Sequence, residues 1–270
     1  MSNADYVSPD DGLLYCGKCN TRKETVVKLP VWMGGDGTLK KVPCLCRCAS
    51  EEKKAQEEEE AARQRMFRIQ RMRESSMMDV RYRDADFKSF RVTQGNKRAG
   101  NIAQKYAVGF DQMFADNQGL ILYGLVGTGK SYTAACIANY LLARSVPVVM
   151  TSFVKILQMI QRGTGDEQTL MSALMEAKLL ILDDMGSERS TDFALEKIYN
   201  VVDSRSRSNR PMIVTTNVSL DEMLHEPDIR FQRIYDRIFE TCYPVEISGE
   251  SFRRITAAER FDAMQRVLEG

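Results

Sequence analysis

Gly124-Leu125-Val126-Gly127-Thr128-Gly129-Lys130-Ser131 decides the fold. It fits the pattern G-x-x-x-x-G-K-[ST] at every position. The chemistry needs these residue types. Glycines let the backbone aim its N–H groups at phosphate oxygens with no Cβ in the way. Lys130 reaches the β- and γ-phosphates, and the Ser131 hydroxyl is a ligand for Mg²⁺. The context is the required one: an apolar strand, Leu120-Ile121-Leu122-Tyr123, precedes the turn, and a helical stretch begins at Ser131. That helix points its positive end at the phosphates.

Two further stretches belong to the same site. Leu179-Leu180-Ile181-Leu182-Asp183-Asp184 is an apolar strand ending in two acids. A carboxylate there can hold Mg²⁺ or its waters beside the phosphates, so Asp183 is the Mg²⁺ candidate. Asp184 is placed to orient or activate the attacking water. Pro211-Met212-Ile213-Val214-Thr215-Thr216-Asn217 ends in polar residues. Asn217 can hydrogen-bond the γ-phosphate or the lytic water, or simply close the strand as a turn residue.

Working outward, apolar runs recur at Leu120–Tyr123, Pro147–Thr151, Leu179–Asp183, Pro211–Thr216 and Tyr243–Ile247. Several are continuous rather than alternating, which suits a parallel sheet buried on both faces. Amphipathic helices are expected at Ser131–Arg144, Phe193–Ser208 and Ile229–Phe239. Strand–helix alternation predicts an α/β, doubly wound fold, and we place this domain over 77–270. Residues 50–76 carry Glu57-Glu58-Glu59-Glu60 and then Arg63, Arg65, Arg68, Arg71 and Arg73. Acids first and bases last suit a helix dipole, so an exposed helical connector is expected, with Ser50 as its N-cap.

The chain has 270 residues, a formal net charge of +1 and 43% hydrophobic residues. That excludes global disorder and demands no nucleic-acid partner by bulk charge. No apolar run has the length of a transmembrane helix, and the N-terminus lacks the features of a signal peptide. A cytoplasmic protein with no membrane association is expected, in which cysteines are thiols, ligands or core residues. Seven are present. Cys136 and Cys242 sit in apolar surroundings and read as core.

The other five lie within residues 1–49. Cys16-Gly17-Lys18-Cys19 is a C-x-x-C knuckle, followed by Cys44-Leu45-Cys46-Arg47-Cys48. Four thiolates form a closed tetrahedral Zn²⁺ site. The intervening Leu29–Lys41, with Trp32 and Gly34-Gly35, suits the hairpin of a zinc ribbon. So short a segment has too little core to fold alone, and metal supplies the missing stability. Five cysteines compete for four places; redox chemistry and unligated thiols are the competing readings.

The three strand-end motifs in this order resemble the AAA+ ATPases: Walker A at Gly124–Ser131, Walker B at Leu179–Asp184 and sensor 1 at Asn217. The resemblance narrows to the bacterial replicative helicase loaders of the DnaC/DnaI type. It is carried by Tyr123–Ser131, Leu182–Glu188, Ile213–Asn217, Arg83–Phe90, Arg230–Ile238 and Glu250–Ile255. It implies a three-layer AAA+ core with a five-stranded parallel sheet. It also implies an ATPase whose nucleotide is held by Gly124, Gly127, Thr128, Gly129, Lys130, Ser131 and Tyr132. Arg237 matches an arginine finger reaching a neighbouring subunit's γ-phosphate. Arg253 matches a sensor 2 arginine, with Arg254 and Arg233 as neighbours in register. Similar Cys-rich heads end in Cys-x-Cys, which favours Cys46 and Cys48 beside Cys16 and Cys19, with Cys44 as the alternate. The implied partners are a hexameric replicative helicase, docked by residues 1–49, single-stranded DNA, and further copies of the chain in the ATP state.

One departure matters. Many AAA+ proteins carry Asp-Glu at Walker B, and this chain has Asp183-Asp184, with Glu188 close by. The shorter acid implies modest hydrolysis, with ATP acting as an assembly switch. A transposition-helper ATPase of the IstB type and a non-hydrolysing nucleotide-binding adaptor are the alternatives. Arg205, Arg207 and Arg210 form a basic cluster, and Lys155 with Phe153 follows the second strand, where related ATPases contact DNA. For each of these a solvated helix face or core position competes. His225 carries no assigned role.

Overall fold

The computed structural model describes residues 4–28, 38–162, 167–186 and 191–269. The chain divides into two compact units, Met1–Phe67 and Arg68–Gly270.

In the first unit, β1 (Tyr6–Val7) pairs with β2 (Leu14–Tyr15), and β3 (Glu24–Lys28) pairs with β4 (Leu39–Pro43), both antiparallel. The arms of the expected hairpin therefore pair, whereas Trp32, Gly34 and Gly35 lie outside the described residues. The helix α1 runs Arg47–Ser75 with no buried residue. Its polar surface is laced by i,i+4 pairs, Lys53 with Glu57 and Arg63 with Glu59, each contributing a few tenths of a kcal/mol. The helix starts three residues before the expected cap: Ser50 donates its N–H to the Cys46 carbonyl inside the first turn. That earlier start brings Cys48 into the helix.

The second unit is built on five parallel strands in the order β6-β7-β8-β5-β9. These are β5 (Gly119–Tyr123), β6 (Val148–Ser152), β7 (Leu179–Met185), β8 (Met212–Thr216) and β9 (Cys242–Glu246). Each lies within two residues of its expected run. Period-2 alternation splits the strands between two cores. Leu120, Leu122, Leu179 and Ile181 pack with α2 (Lys97–Val108) and α4 (Lys130–Leu142). Ile121, Leu180 and Leu182 pack with α5 (Phe153–Arg162), α6 (Glu167–Glu176), α7 (Asp192–Arg207) and α9 (Ile229–Phe239) on the other face. Apolar residues on both faces explain why the strands read as continuous runs. The result is the three-layer α/β architecture of a P-loop AAA+ core. Three helices complete it: α3 (Phe110–Ala115), α8 (Leu220–Leu224) and α10 (Phe252–Leu268).

One surface expectation is corrected here. Arg205 is fully buried. Its guanidinium donates to the carbonyls of Leu174, Met175, Ala177, Lys178 and Pro211. Arg210 donates to the carbonyls of Met175 and Glu176. The basic cluster thus ties the end of α6 to the start of β8 instead of facing nucleic acid; of the three, Arg207 is exposed and pairs with Asp203. Phe153 takes the core position that competed with base stacking, buried at the start of α5. Cys136 and Cys242 are core residues as expected.

Candidate nucleotide and metal sites

The turn between β5 and α4 forms one wall of a cleft of about 330 Å³ at the carboxyl edge of the sheet, where open α/β sheets bind ligands. Its backbone is special where the motif demands it. Gly127 has φ +84°, and a Cβ there would lie 2.0 Å from Ser251 Oγ. Gly124 has φ +135°, and a Cβ would lie 2.3 Å from the Ile247 carbonyl oxygen. The turn is thus clamped against the segment entering α10. The Phe252 N–H donates to the Gly127 carbonyl, and Ser251 caps α10. This clamp carries Arg253 into the cleft.

Lys130 is 7% exposed. Its ammonium donates to the carbonyls of Gly124 (2.8 Å) and Leu125 (2.7 Å). Burial pushes its pKa below the ordinary value, while Asp184 and Asp183 oppose the shift. Both carboxylates line the cleft with Ser131, Tyr132 and Asn217. The Tyr132 hydroxyl lies 2.9 Å from Ser89 Oγ.

The carboxylates are held from β8. Thr215 Oγ1 donates to Asp183 Oδ1 at 2.7 Å and accepts the Asp184 N–H at 2.8 Å. Asn217 Nδ2 donates to Asp184 Oδ1 at 3.1 Å. Asp184 itself adopts φ +59°, uncommon for a non-glycine residue, where the β7–β8 register shifts between Leu182 and Met185. Such a bulge re-aims a side chain at a strand end. Glu188 lies outside the described residues. Arg237 is not in the cleft; its guanidinium pairs with Asp203 (3.1 Å) and Glu240 (2.9 Å) on α7 and at the end of α9. Arg233 is also outside the cleft-lining set.

In the first unit, the sulfurs of Cys16, Cys19, Cys46 and Cys48 all lie within 4.8 Å of one another. Cys16 and Cys48 are 3.6 Å apart, and Cys46 and Cys48 are 3.4 Å apart. Tetrahedral zinc with Zn–S of about 2.3 Å places sulfurs about 3.8 Å apart, so the donor set fits that ion. Cys44 points elsewhere, toward the Arg22 carbonyl. Backbone N–H groups aim at two of the sulfurs. The Cys48 N–H and the Thr21 hydroxyl bring the Cys19 thiol down to about 5. The N–H groups of Cys19 and Lys18 lower Cys16. Crowding by Cys46, Cys19 and Cys16 pushes Cys48 up to about 12. Such a cluster favours a bound cation that neutralises the thiolates.

The family profile described as IstB-like ATP binding protein matches residues 52–259. The chain belongs to this family. The replicative helicase loader DnaC of Escherichia coli K12 is 30% identical over 203 residues, covering 72% of this chain and 80% of DnaC. Protein XkdC of the phage-like element PBSX of Bacillus subtilis 168 is 23% identical over 263 residues, covering 92% of this chain and 88% of XkdC. A crystal structure of DnaI shares the fold, with a TM-score of 0.56 and 23% identity over 66% of this chain and 98% of that one.

An IstB-like chain is ATP-binding, and the cleft supplies the means. The glycine turn, Lys130 and the start of α4 line one side of it, with Ser131, Asp183 and Asp184 beside them, the kinds of group that suit phosphate and a phosphate-bound cation. The motifs assign no role to two of the cleft residues. Thr215 is hidden inside an apolar strand, and only its polar character among buried neighbours points to it. Arg81 lies on a 3₁₀ turn at Val80–Tyr82, far from the strand ends in sequence. No helix among the described residues is long and apolar enough to cross a membrane.

Proposed function

We propose that this protein is an ATPase that delivers a hexameric replicative helicase to single-stranded DNA in the cytoplasm. One observation carries the reading: the identity to a chain named replicative helicase loader extends over 80% of that chain. On this reading residues 1–49 dock on the helicase, 50–76 connect, and 77–270 bind and hydrolyse ATP.

Each residue then has a task. Gly124, Gly127, Thr128 and Gly129 hold the phosphates, and Tyr132 and Arg253 contact the nucleotide in cis. Lys130 leaves its own loop carbonyls for the β- and γ-phosphates. Ser131 and Asp183 hold Mg²⁺, which offsets phosphate charge. Asp184, steadied by Asn217, orients the water. An aspartate reaches less far than a glutamate, so intrinsic turnover stays below roughly 10 s⁻¹, and ATP serves as a switch for self-association. Arg237 acts on a neighbouring copy, exchanging Asp203 and Glu240 for that copy's γ-phosphate. Lys155, exposed at the start of α5, meets DNA phosphate. Cys16, Cys19, Cys46 and Cys48 hold a structural Zn²⁺, which leaves no open coordination position and fixes the docking head.

The family match over 52–259, which omits the cysteine head, favours as second reading a transposition helper assembling on duplex DNA. Native mass spectrometry of the full chain with the replicative helicase of the same cell, with and without ATP, separates the two. A defined complex with the hexamer, lost in Cys16→Ser/Cys19→Ser, is expected. No complex under any nucleotide condition overturns the loader reading and makes duplex DNA the next partner to test.

A further inference from the structure

Arg81 belongs to none of the motifs, yet among the described residues it stands with Lys130 and Arg253 as one of three cations lining the nucleotide cleft, against the carboxylates of Asp183 and Asp184. MgATP keeps net negative charge at neutral pH, and guanidinium is suited to bidentate pairing with phosphate.

The turn that carries Arg81 is fixed by its backbone, while the side chain is exposed. On one side the Met150 N–H of the edge strand β6 donates to the Ser76 carbonyl at 2.8 Å. On the other, Asn139 Nδ2 of α4 donates to the carbonyls of Tyr82 and Ala85, each at 2.8 Å. Asp79 caps the turn by accepting the Arg81 N–H at 3.0 Å. The Arg81 side chain is 69% exposed, lies over the Tyr82 ring and, among the described residues, forms its ion pair with Asp79, Nε to Oδ1 at 3.2 Å and Nη2 to Oδ2 at 3.3 Å. Asp79 is shared: Lys155 Nζ lies 4.0 Å from its Oδ2.

Position selects the end of the nucleotide. Arg81 lines both the main cleft and a smaller recess formed by Asp79, Thr151, Ser152 and Lys155, and the two spaces have Asp183 and Asp184 in common. Those carboxylates mark the metal-bound, terminal end of a polyphosphate. No residue of the glycine turn lines the recess.

We propose that Arg81 is a contact for the terminal phosphate of ATP, and that Asp79 is its resting partner. When ATP binds, the guanidinium leaves Asp79 for the γ-phosphate, and Asp79 is left to Lys155. Arg81 thereby separates ATP from ADP and links occupancy of the cleft to the start of α5. The inference rests on the nucleotide reading of the cleft.

The test is equilibrium titration of the full chain with MgATP and, separately, MgADP. Arg81→Ala is expected to weaken MgATP about tenfold or more and MgADP less than about threefold. Arg81→Lys is expected to recover part of the ATP affinity. Asp79→Asn, which frees the guanidinium, is expected to tighten MgATP about twofold to fivefold without changing MgADP. Equal losses for both nucleotides in Arg81→Ala, or ATP affinity unmoved in all three variants, overturn the proposal. A wild-type chain that binds neither nucleotide overturns the nucleotide reading itself, and this inference with it. Should Arg81→Ala not fold, the other two variants decide.

Discussion

The Thr215 hydroxyl sits between the two Walker B acids, donating to Asp183 Oδ1 and accepting the Asp184 N–H. One buried side chain on β8 therefore holds the Asp183 carboxylate and the Asp184 backbone on β7. A metal-ligating carboxylate held by such a partner loses affinity when the partner is removed. Thr215→Val keeps the shape and removes the hydroxyl. The expected result is an approximately tenfold rise in the Mg²⁺ concentration needed for half-maximal nucleotide binding, with Thr215→Ser near wild type. A Mg²⁺ titration at fixed ATP reads this directly, and an unchanged midpoint would remove Thr215 from the site.

Gly127 faces Ser251 so closely that a methyl group has no room. Gly127→Ala is expected to displace the turn from the start of α10 and to lower ATP affinity at least about tenfold, with about 1–3 kcal/mol of lost stability. Adding Ser251→Gly removes the side chain in the way. The double variant should regain part of the affinity; a double variant no better than the single one would mean that backbone strain alone governs.

Arg205 answers five carbonyls at once. Arg205→Met leaves those acceptors without their donor inside the core. A loss of about 3 kcal/mol or more is expected, seen as a lower urea midpoint. Single-stranded DNA affinity of the folded variant should not move. The opposite pattern, weaker DNA binding at an unchanged midpoint, would restore the basic cluster as a nucleic-acid surface.

Cys44 and Cys46 are two residues apart and differ in surroundings. Metal analysis of Cys44→Ser should return about one zinc per chain, as in the wild type, and that of Cys46→Ser less than half as much. Zinc lost from the Cys44 variant and kept in the Cys46 variant would reverse the assignment.

The strands were legible because burial on both faces leaves few polar positions to blur them; β5 is almost wholly apolar and β8 is apolar up to its two threonines. The glycine turn was legible because a conformation closed to side chains leaves its mark in composition. Thr215 and Arg81 were not. Their roles depend on what lies across the sheet edge, which spacing along the chain does not encode. Arg205 misled because three arginines stand close in sequence. Helical period was the available cue: Val201 and Val202 lie four and three residues before Arg205 and mark the buried face of α7.

The contacts of Lys130 with Gly124 and Leu125 have a kinetic meaning. A loop tied shut by its own lysine is already folded before any nucleotide arrives. On the proposed reading, binding exchanges carbonyl partners for phosphate oxygens and does not have to order a disordered strand-to-helix connection. Capture of ATP then follows diffusion into an open groove, whereas escape waits on the lysine returning to its carbonyls, so residence time, more than arrival, is where changes to this loop register.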